Sequence, residues 1–233
     1  MTFSDLIKLY EKKKQIYGEN TYQHITEILQ EAKTKHYEDW LKNPTRNRDH
    51  EQSWRAWKGK NLEKLLHYIL KEEVEKLGLK IVTGNTLERT NTANLSPELN
   101  RVKRNLLIDY GEYGAHLPDV DIIIYDPKTC NVIAVISSKV TLRERIAQTG
   151  YWKIKLMQDN ITKHIKVFFI TPDEDKTLNV RNPAKKGRAI IEVDTDGGYV
   201  MNEEKIEESN KVKKFDKFLD DLKVLVNETP KNR

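Results

Sequence analysis

Residues 117–154, LPDVDIIIYDPKTCNVIAVISSKVTLRERIAQTGYWKI, decide the fold. Two apolar runs, 121–125 (DIIIY) and 132–137 (VIAVIS), are rich in isoleucine and valine and bounded by polar residues, as strands are. Between them Asp126-Pro127-Lys128-Thr129 is turn-forming, so the runs predict a hairpin. A helix is expected next, over residues 141–160, and then a further strand at 165–170 (IKVFFI). Upstream, the segment at 79–83 (LKIVT) reads as a short strand. It is preceded by helices over 4–17, over 21–43 before Pro44, and over 53–77. In the last of these Leu62, Leu65, Leu66, Ile69, Leu70 and Val74 make a buried stripe at helical spacing. Downstream, 188–193 (RAIIEV) reads as a strand before an Asp-Gly-Gly turn, and 203–226 as a charged helix. Residues 84–117 carry no clear pattern. The fold class that results is α/β, a mixed central sheet flanked by helices, with an N-terminal helical region over 1–50 and the main domain over 51–233.

Composition narrows the function classes. The 233 residues are 37% hydrophobic and 33% charged, and the mean hydropathy is -0.74. No apolar run approaches the ~20 residues that span a bilayer, and the N-terminus has no apolar core of a signal peptide, so neither a membrane protein nor an exported one is expected. The single cysteine, Cys130, excludes an internal disulfide framework and a thiolate zinc cluster. Lys+Arg number 41 against 36 Asp+Glu, a formal charge of +5. That is compatible with a nucleic-acid partner without requiring one.

The hairpin gathers chemistry at one end of the sheet. Alternation puts Val135, Ser137 and Lys139 on one strand face, and Ile136 and Ser138 on the other. The start of the first strand lies beside the end of the second, which brings Asp119 and Asp121 to Lys139. Hydrolysis of a phosphodiester needs a divalent cation, an activated water and positive charge near the phosphate. Aspartate oxygens suit Mg²⁺, and a lysine orients the water and offsets developing charge. Each residue alone is more simply read as the cap or end of a strand. The set together points to a site.

Pro118-Asp119, a hydrophobic strand and a second strand ending Ser137-Ser138-Lys139 resemble the signature of the PD-(D/E)XK nucleases. The resemblance implies that Asp119 binds metal and that Lys139 is catalytic. Ser137 stands where that superfamily usually carries Asp or Glu. A Ser-x-Lys form occurs in the CCGG-reading group of type II restriction endonucleases, where a helix supplies the missing carboxylate. The run SSKVTLRERIAQTGYWK is similar to the BsaWI-type enzymes of that group. There, an Arg-(Asp/Glu)-Arg element follows the catalytic lysine and reads the bases, which assigns Arg143, Glu144 and Arg145 to DNA. Arginine pairs bidentately with guanine, and a carboxylate accepts from cytosine N4. The positions where the group keeps its displaced glutamate hold Trp152 and Lys153, which cannot take that role. The stretch WKGKNLEKLL resembles the N-terminal helix of many such nucleases and nominates Glu63 instead. The metal set implied is then Asp119, Ser138 and Glu63, with Asp121 as the reserve ligand, since it shares a strand face with Asp119.

By this resemblance the chain has a restriction-endonuclease-like fold and is a Mg²⁺-dependent type II restriction endonuclease. Double-stranded DNA is its substrate, at a short palindrome with a CCGG-like core. A homodimer, a cognate DNA methyltransferase in the same system and a prokaryotic cytoplasm are further expectations. Two other readings stay open at this point: a repair or junction-resolving nuclease on the same fold, and a DNA-binding module with a decayed site, which Ser137 would favour. Weaker features are Trp54, Trp57 and Trp152 as stacking groups at DNA, His116 beside the Pro-Asp pair, and the basic segment RNPAKKGR at 181–188 as a contact to the DNA backbone.

Overall fold

The computed structural model describes residues 1–44, 49–141 and 145–228. Three helices lead the chain: α1 (Phe3–Tyr17), α2 (Ile25–Lys42) and α3 (His50–Lys76). The first starts on a capping box in which Thr2 and Asp5 satisfy each other's end groups. Asp49 caps α3 by accepting from the Gln52 amide. Strand β1 (Lys80–Thr83) follows, then α4 (Gly84–Arg89), α5 (Pro97–Arg104) and the small hairpin β2 (Ile108–Asp109) and β3 (Ala115–His116). These short elements fill the stretch 84–117 that has no periodic pattern.

The expected hairpin is formed by β4 (Ile122–Tyr125) and β5 (Val132–Ser138), antiparallel, with Ile122 opposite Ile136 and Ile123 opposite Val135. Its turn is fixed by Asp126, whose carboxylate accepts from the Lys128 amide and the Thr129 hydroxyl. After β5 come α6 (Arg145–Met157), β6 (Lys166–Thr171), α7 (Lys186–Asp194), β7 (Gly197–Val200), β8 (Val212–Lys214) and α8 (Phe218–Glu228). The six-stranded sheet has the order β1-β4-β5-β6-β7-β8. Its β1-β4-β5 part is antiparallel, and β5 through β8 run parallel. This is the mixed α/β sheet that the sequence predicts.

Every residue of β4 and β5 is buried, which requires cover on both faces of the sheet. One face carries Ile122, Ile124, Ala134 and Ile136 into a core shared with the Leu62, Leu65, Leu66, Leu70 stripe of α3 and with Ile25, Ile28 and Leu29 of α2. Each leucine or isoleucine among them contributes about 1.5–3 kcal/mol on burial. The other face carries Ile123, Val132 and Val135 into a second core with Leu87, Val102 and Leu156. The central strands are thus held rigidly where they end at the site.

Two expectations fail in the last third of the chain. The segment 188–193 is not a strand but lies in α7, because its buried positions Arg188, Ile191 and Thr195 recur at helical spacing. The supposed Asp-Gly-Gly turn is the start of β7. A Cβ at Gly198 would stand 2.9 Å from the Ile191 side chain, so glycine is what lets α7 lie against the strand. The expected helix over 203–226 begins only at Phe218. Its first part instead contributes β8, which adds to the sheet edge with Val212 opposite Gly198.

Candidate active site

Lys139 follows the last residue of β5, and its side chain lies between two carboxylates. Its Nζ donates to Glu63 Oε1 at 2.7 Å and to both carboxylate oxygens of Asp121 at 2.9 Å. Asp121 stands immediately before β4. Its amide donates to the Ile136 carbonyl at 3.0 Å, which fixes the aspartate beside the end of β5. Asp121 Oδ2 also accepts from the Ser138 amide at 2.7 Å. Glu63 comes from α3, between the buried Leu62 and Leu65, and is turned towards the end of β5.

All three groups are mostly buried: 10% of the Asp121 side chain, 19% of Lys139 and 22% of Glu63 remain exposed. Burial pushes the Glu63 carboxyl up to about 7, with the nearby Asp121 charge acting in the same direction and Lys139 opposing both. Burial also works against the Lys139 ammonium, but the charges and hydrogen bonds of Asp121 and Glu63 outweigh it and hold its pKa above the ordinary lysine value. The lysine is therefore a cation and a hydrogen-bond donor at neutral pH.

Asp119 lines a narrow crevice on the other side of Lys139, together with Asp121, Ser137, Gln148 and Thr149. It does not contact the lysine. Its Oδ2 accepts from Gln148 Nε2 at 2.9 Å. Ser138 contributes its amide, and its hydroxyl is buried without a partner among the described residues. The structure therefore brings Glu63, Asp121 and Lys139 into direct contact, and sets Asp119 and Ser137 around the same crevice. Gln148 escaped the sequence reading. It lies one helical turn before Trp152 on α6, on the helix where a displaced acidic group was sought, and it reaches the crevice as an amide.

Other sequence candidates fall elsewhere. Arg143 and Glu144 lie outside the described residues, and Arg145 opens α6. Trp54 and Trp57 stack on each other with centroids 5.3 Å apart, Trp54 in the core and Trp57 packed against it. Trp152 packs against the second core. His116 is exposed, with Nε2 at 2.9 Å from the Tyr113 carbonyl. In the basic segment, Arg188 is fully buried, bonded to the carbonyls of Leu178 and Glu207 and to Glu192, so it is a structural residue and cannot meet DNA.

Two carboxylates, a lysine and a flanking aspartate gathered where β4 starts and β5 ends offer hard oxygen ligands for a divalent cation and a donor for a water. The family described as BsaWI restriction endonuclease type 2 matches residues 98–221, more than half of the chain. The chain belongs to that family. A candidate type II restriction enzyme of Methanocaldococcus jannaschii, MjaVIP, is 38% identical over 212 residues, which cover 85% of this chain and 92% of that protein. A similarly named protein of Helicobacter pylori, HpyAORF263P, is 37% identical over 127 residues, 54% of this chain and 64% of the relative. Among solved structures, the AgeI–DNA complex matches with a TM-score of 0.52 at 14% identity, covering 94% of this chain and 91% of that one. The PspGI–substrate DNA complex matches with a TM-score of 0.52 at 16% identity, covering 94% and 81%. These two likenesses bear on the fold alone, and they bear out the restriction-endonuclease-like architecture. The family bears out the expected activity class, a site-specific deoxyribonuclease of type II. No helix among the described residues is long and apolar enough to cross a membrane.

Proposed function

We propose that this BsaWI-family chain cuts double-stranded DNA with Mg²⁺, using Asp121 and Glu63 to hold the cation and Lys139 to serve the attacking water. The observation that carries the reading is the Lys139 amine seated between the Glu63 and Asp121 carboxylates. The donor set fits Mg²⁺, which takes hard oxygen ligands, needs only one or two carboxylates and keeps several waters. Burial first, and the neighbouring Asp121 charge with it, oppose ionisation of Glu63, and a divalent cation would favour the charged form. When bound, Mg²⁺ supplies Lewis-acid stabilisation of charge on the phosphate.

The chain's own groups do the rest. The Ser138 amide and Lys139 hold Asp121 in one orientation. Lys139, charged and carrying more than one donor hydrogen, aims a water at the phosphorus and offsets the charge that develops there. Asp119, turned towards Gln148, is a second acceptor at the crevice, placed to hold that water or to share the cation. Ser137 adds a hydroxyl and no charge.

Base reading is proposed for Arg143, Glu144 and Arg145. The support is their place in the sequence, just after Lys139 and up to the Arg145 at which α6 opens, since a helix N-terminus presents its first turn to base edges in the major groove. Family membership favours a CCGG-like core. A palindrome has two-fold symmetry, so a homodimer with one site per strand follows. A cognate methyltransferase is then needed to spare the host's own copies of the site, and the prokaryotic cytoplasm is the compartment in which incoming DNA is met.

Plasmid DNA incubated with the protein and Mg²⁺ tests the reading. Discrete fragments whose sequenced ends share a CCGG-like palindrome are expected, and chelation of the metal should stop their formation. Cleavage confined to branched DNA, or bound but uncut plasmid, would overturn it.

A further inference from the structure

On the Glu63 side of Lys139 the site opens into a groove of about 750 Å³ between α3 and α4. Its lining is basic. Arg55 and Lys60 come from α3 and Arg89 from the end of α4. All three are exposed and make no ion pair among the described residues, unlike their groove neighbour Lys58, which is bonded to Glu174 at 2.9 Å. Glu63 is the only carboxylate among the described lining residues. Unpaired cations crowded beside a hydrolytic site repel one another unless an anion joins them.

Between these cations lies Gly59. It sits in the interior of a 27-residue helix, four positions before Glu63 and on the same face. Glycine is the poorest helix former after proline. Packing within the chain gives no reason for it, since a Cβ there would meet nothing within 4 Å. The missing side chain leaves the α3 backbone open on the groove side, where a ligand can approach it closely.

The position of α4 is tied to the catalytic strand. The Gly84 amide donates to the Asp121 carbonyl at 3.0 Å, and a Cβ at Gly84 would lie 1.8 Å from the Val120 carbonyl oxygen. Arg89, at the other end of this short helix, is therefore held in register with Asp121.

We infer that this groove is the track for the DNA backbone next to the scissile phosphate, with Arg55, Lys60 and Arg89 meeting flanking phosphates and Gly59 letting the strand lie against α3. The inference rests on the nuclease reading above. Such contacts carry no sequence information, so they set affinity and its salt dependence for every duplex alike.

Fluorescence anisotropy of the full chain with labelled duplexes, over a salt series and without divalent cation, tests it. Arg89→Ala and Lys60→Ala should each lower the slope of log affinity against log salt by about 0.9. Both should weaken CCGG-containing and scrambled duplexes by the same factor. Gly59→Ala should melt at a higher temperature than wild type yet bind DNA more weakly, and Gly59→Val should bind more weakly still. Lys76→Ala, 17 residues further along α3 and thus about 25 Å away, should bind as wild type does. Wild-type affinities and slopes in the Arg89, Lys60 and Gly59 variants of a protein that still cuts plasmid would overturn the groove and leave the nuclease reading standing. A wild-type protein that neither binds nor cuts any duplex would overturn both. Should Gly59→Val fail to fold, Arg89→Ala, at an exposed position, decides.

Discussion

The Lys139 ammonium reaches Glu63 over 2.7 Å, although the two residues are 76 positions apart in the chain. The contact joins the end of β5 to the middle of α3 and makes a helical glutamate part of a strand-end site. Removing either partner should therefore affect chemistry more than fold. Lys139→Ala is expected to lower the single-turnover cleavage rate by about 10²–10³-fold, the usual loss for one electrostatic stabiliser, with duplex binding retained. Glu63→Gln keeps the shape and removes the charge, and should raise the Mg²⁺ concentration needed for half-maximal rate. A Glu63→Gln protein with the wild-type metal requirement would take Glu63 out of the site.

Asp121 and Asp119 make opposite choices of partner, one facing Lys139 and the other Gln148. Asp121→Asn should abolish cleavage, because it removes the charge that both orients the lysine and faces Glu63. Asp119→Asn should retain measurable cleavage, since its contact to Gln148 is between an amide and an oxygen that asparagine also presents. Rates for the two variants across a Mg²⁺ titration check this. If Asp119→Asn is dead and Asp121→Asn is active, the roles are reversed.

The part of the site that was legible in the sequence is the part made by neighbours in one hairpin. Alternation and antiparallel pairing place Asp119, Asp121, Ser137 and Lys139 at one end of the hairpin without any knowledge of long-range packing. The different partners of the two aspartates were not legible, because they depend on which of the two meets a side chain from α6. Glu63 was reached through its helix's resemblance to other nucleases, since nothing local says which side of α3 faces the sheet end. Gln148 was missed because a search for charge overlooks an amide. In the fold, β1, β4, β5 and β6 were legible as apolar runs bounded by turns. The failures at α7 and β7 share one physical origin. Ala189, Ile190 and Ile191 suit either a strand or a helix, and only the packing of Ile191 on Gly198 selects the helix and turns the glycine pair into a strand.

Gly84 offers a stability test of how Asp121 is placed. A methyl group there would collide with the Val120 backbone oxygen at 1.8 Å, and backbone cannot rotate away as a side chain does. Gly84→Ala must therefore displace α4 from the segment leading into β4, at a cost of about 1–3 kcal/mol for overpacking. Urea denaturation should show that loss as a lower midpoint with an unchanged slope. Since the Gly84 amide also holds the Asp121 carbonyl, cleavage should fall further than the loss of folded protein explains. Wild-type stability in Gly84→Ala would mean that α4 can shift freely.

The N-terminal helices carry a pH dependence that is separate from the site. His36 is buried, with Nδ1 at 3.2 Å from His50 Nε2 and its ring against Trp54 and Trp57. Burial pushes its pKa down, and the charges of His50 and the N-terminal amine act the same way. His67 on α3 is also lowered, again by burial first. Both rings are therefore neutral in the folded chain at a pH where the unfolded chain has begun to protonate them. Below the ordinary histidine value of 6.5 the unfolded state binds more protons than the native state. The contribution of these two rings must then rise with pH through that window, be fully present above it and be lost as pH falls below it, while the raised Glu63 carboxyl contributes in the opposite sense over the same range. Urea melts between about pH 5 and pH 8 read the rings' contribution as the difference in slope between wild type and the histidine variants. His36→Gln should lower the slope while leaving the cleavage site intact, and the further change His67→Gln should lower it again. An unchanged slope in the double variant would place the acid sensitivity in the carboxylates and not in these two rings.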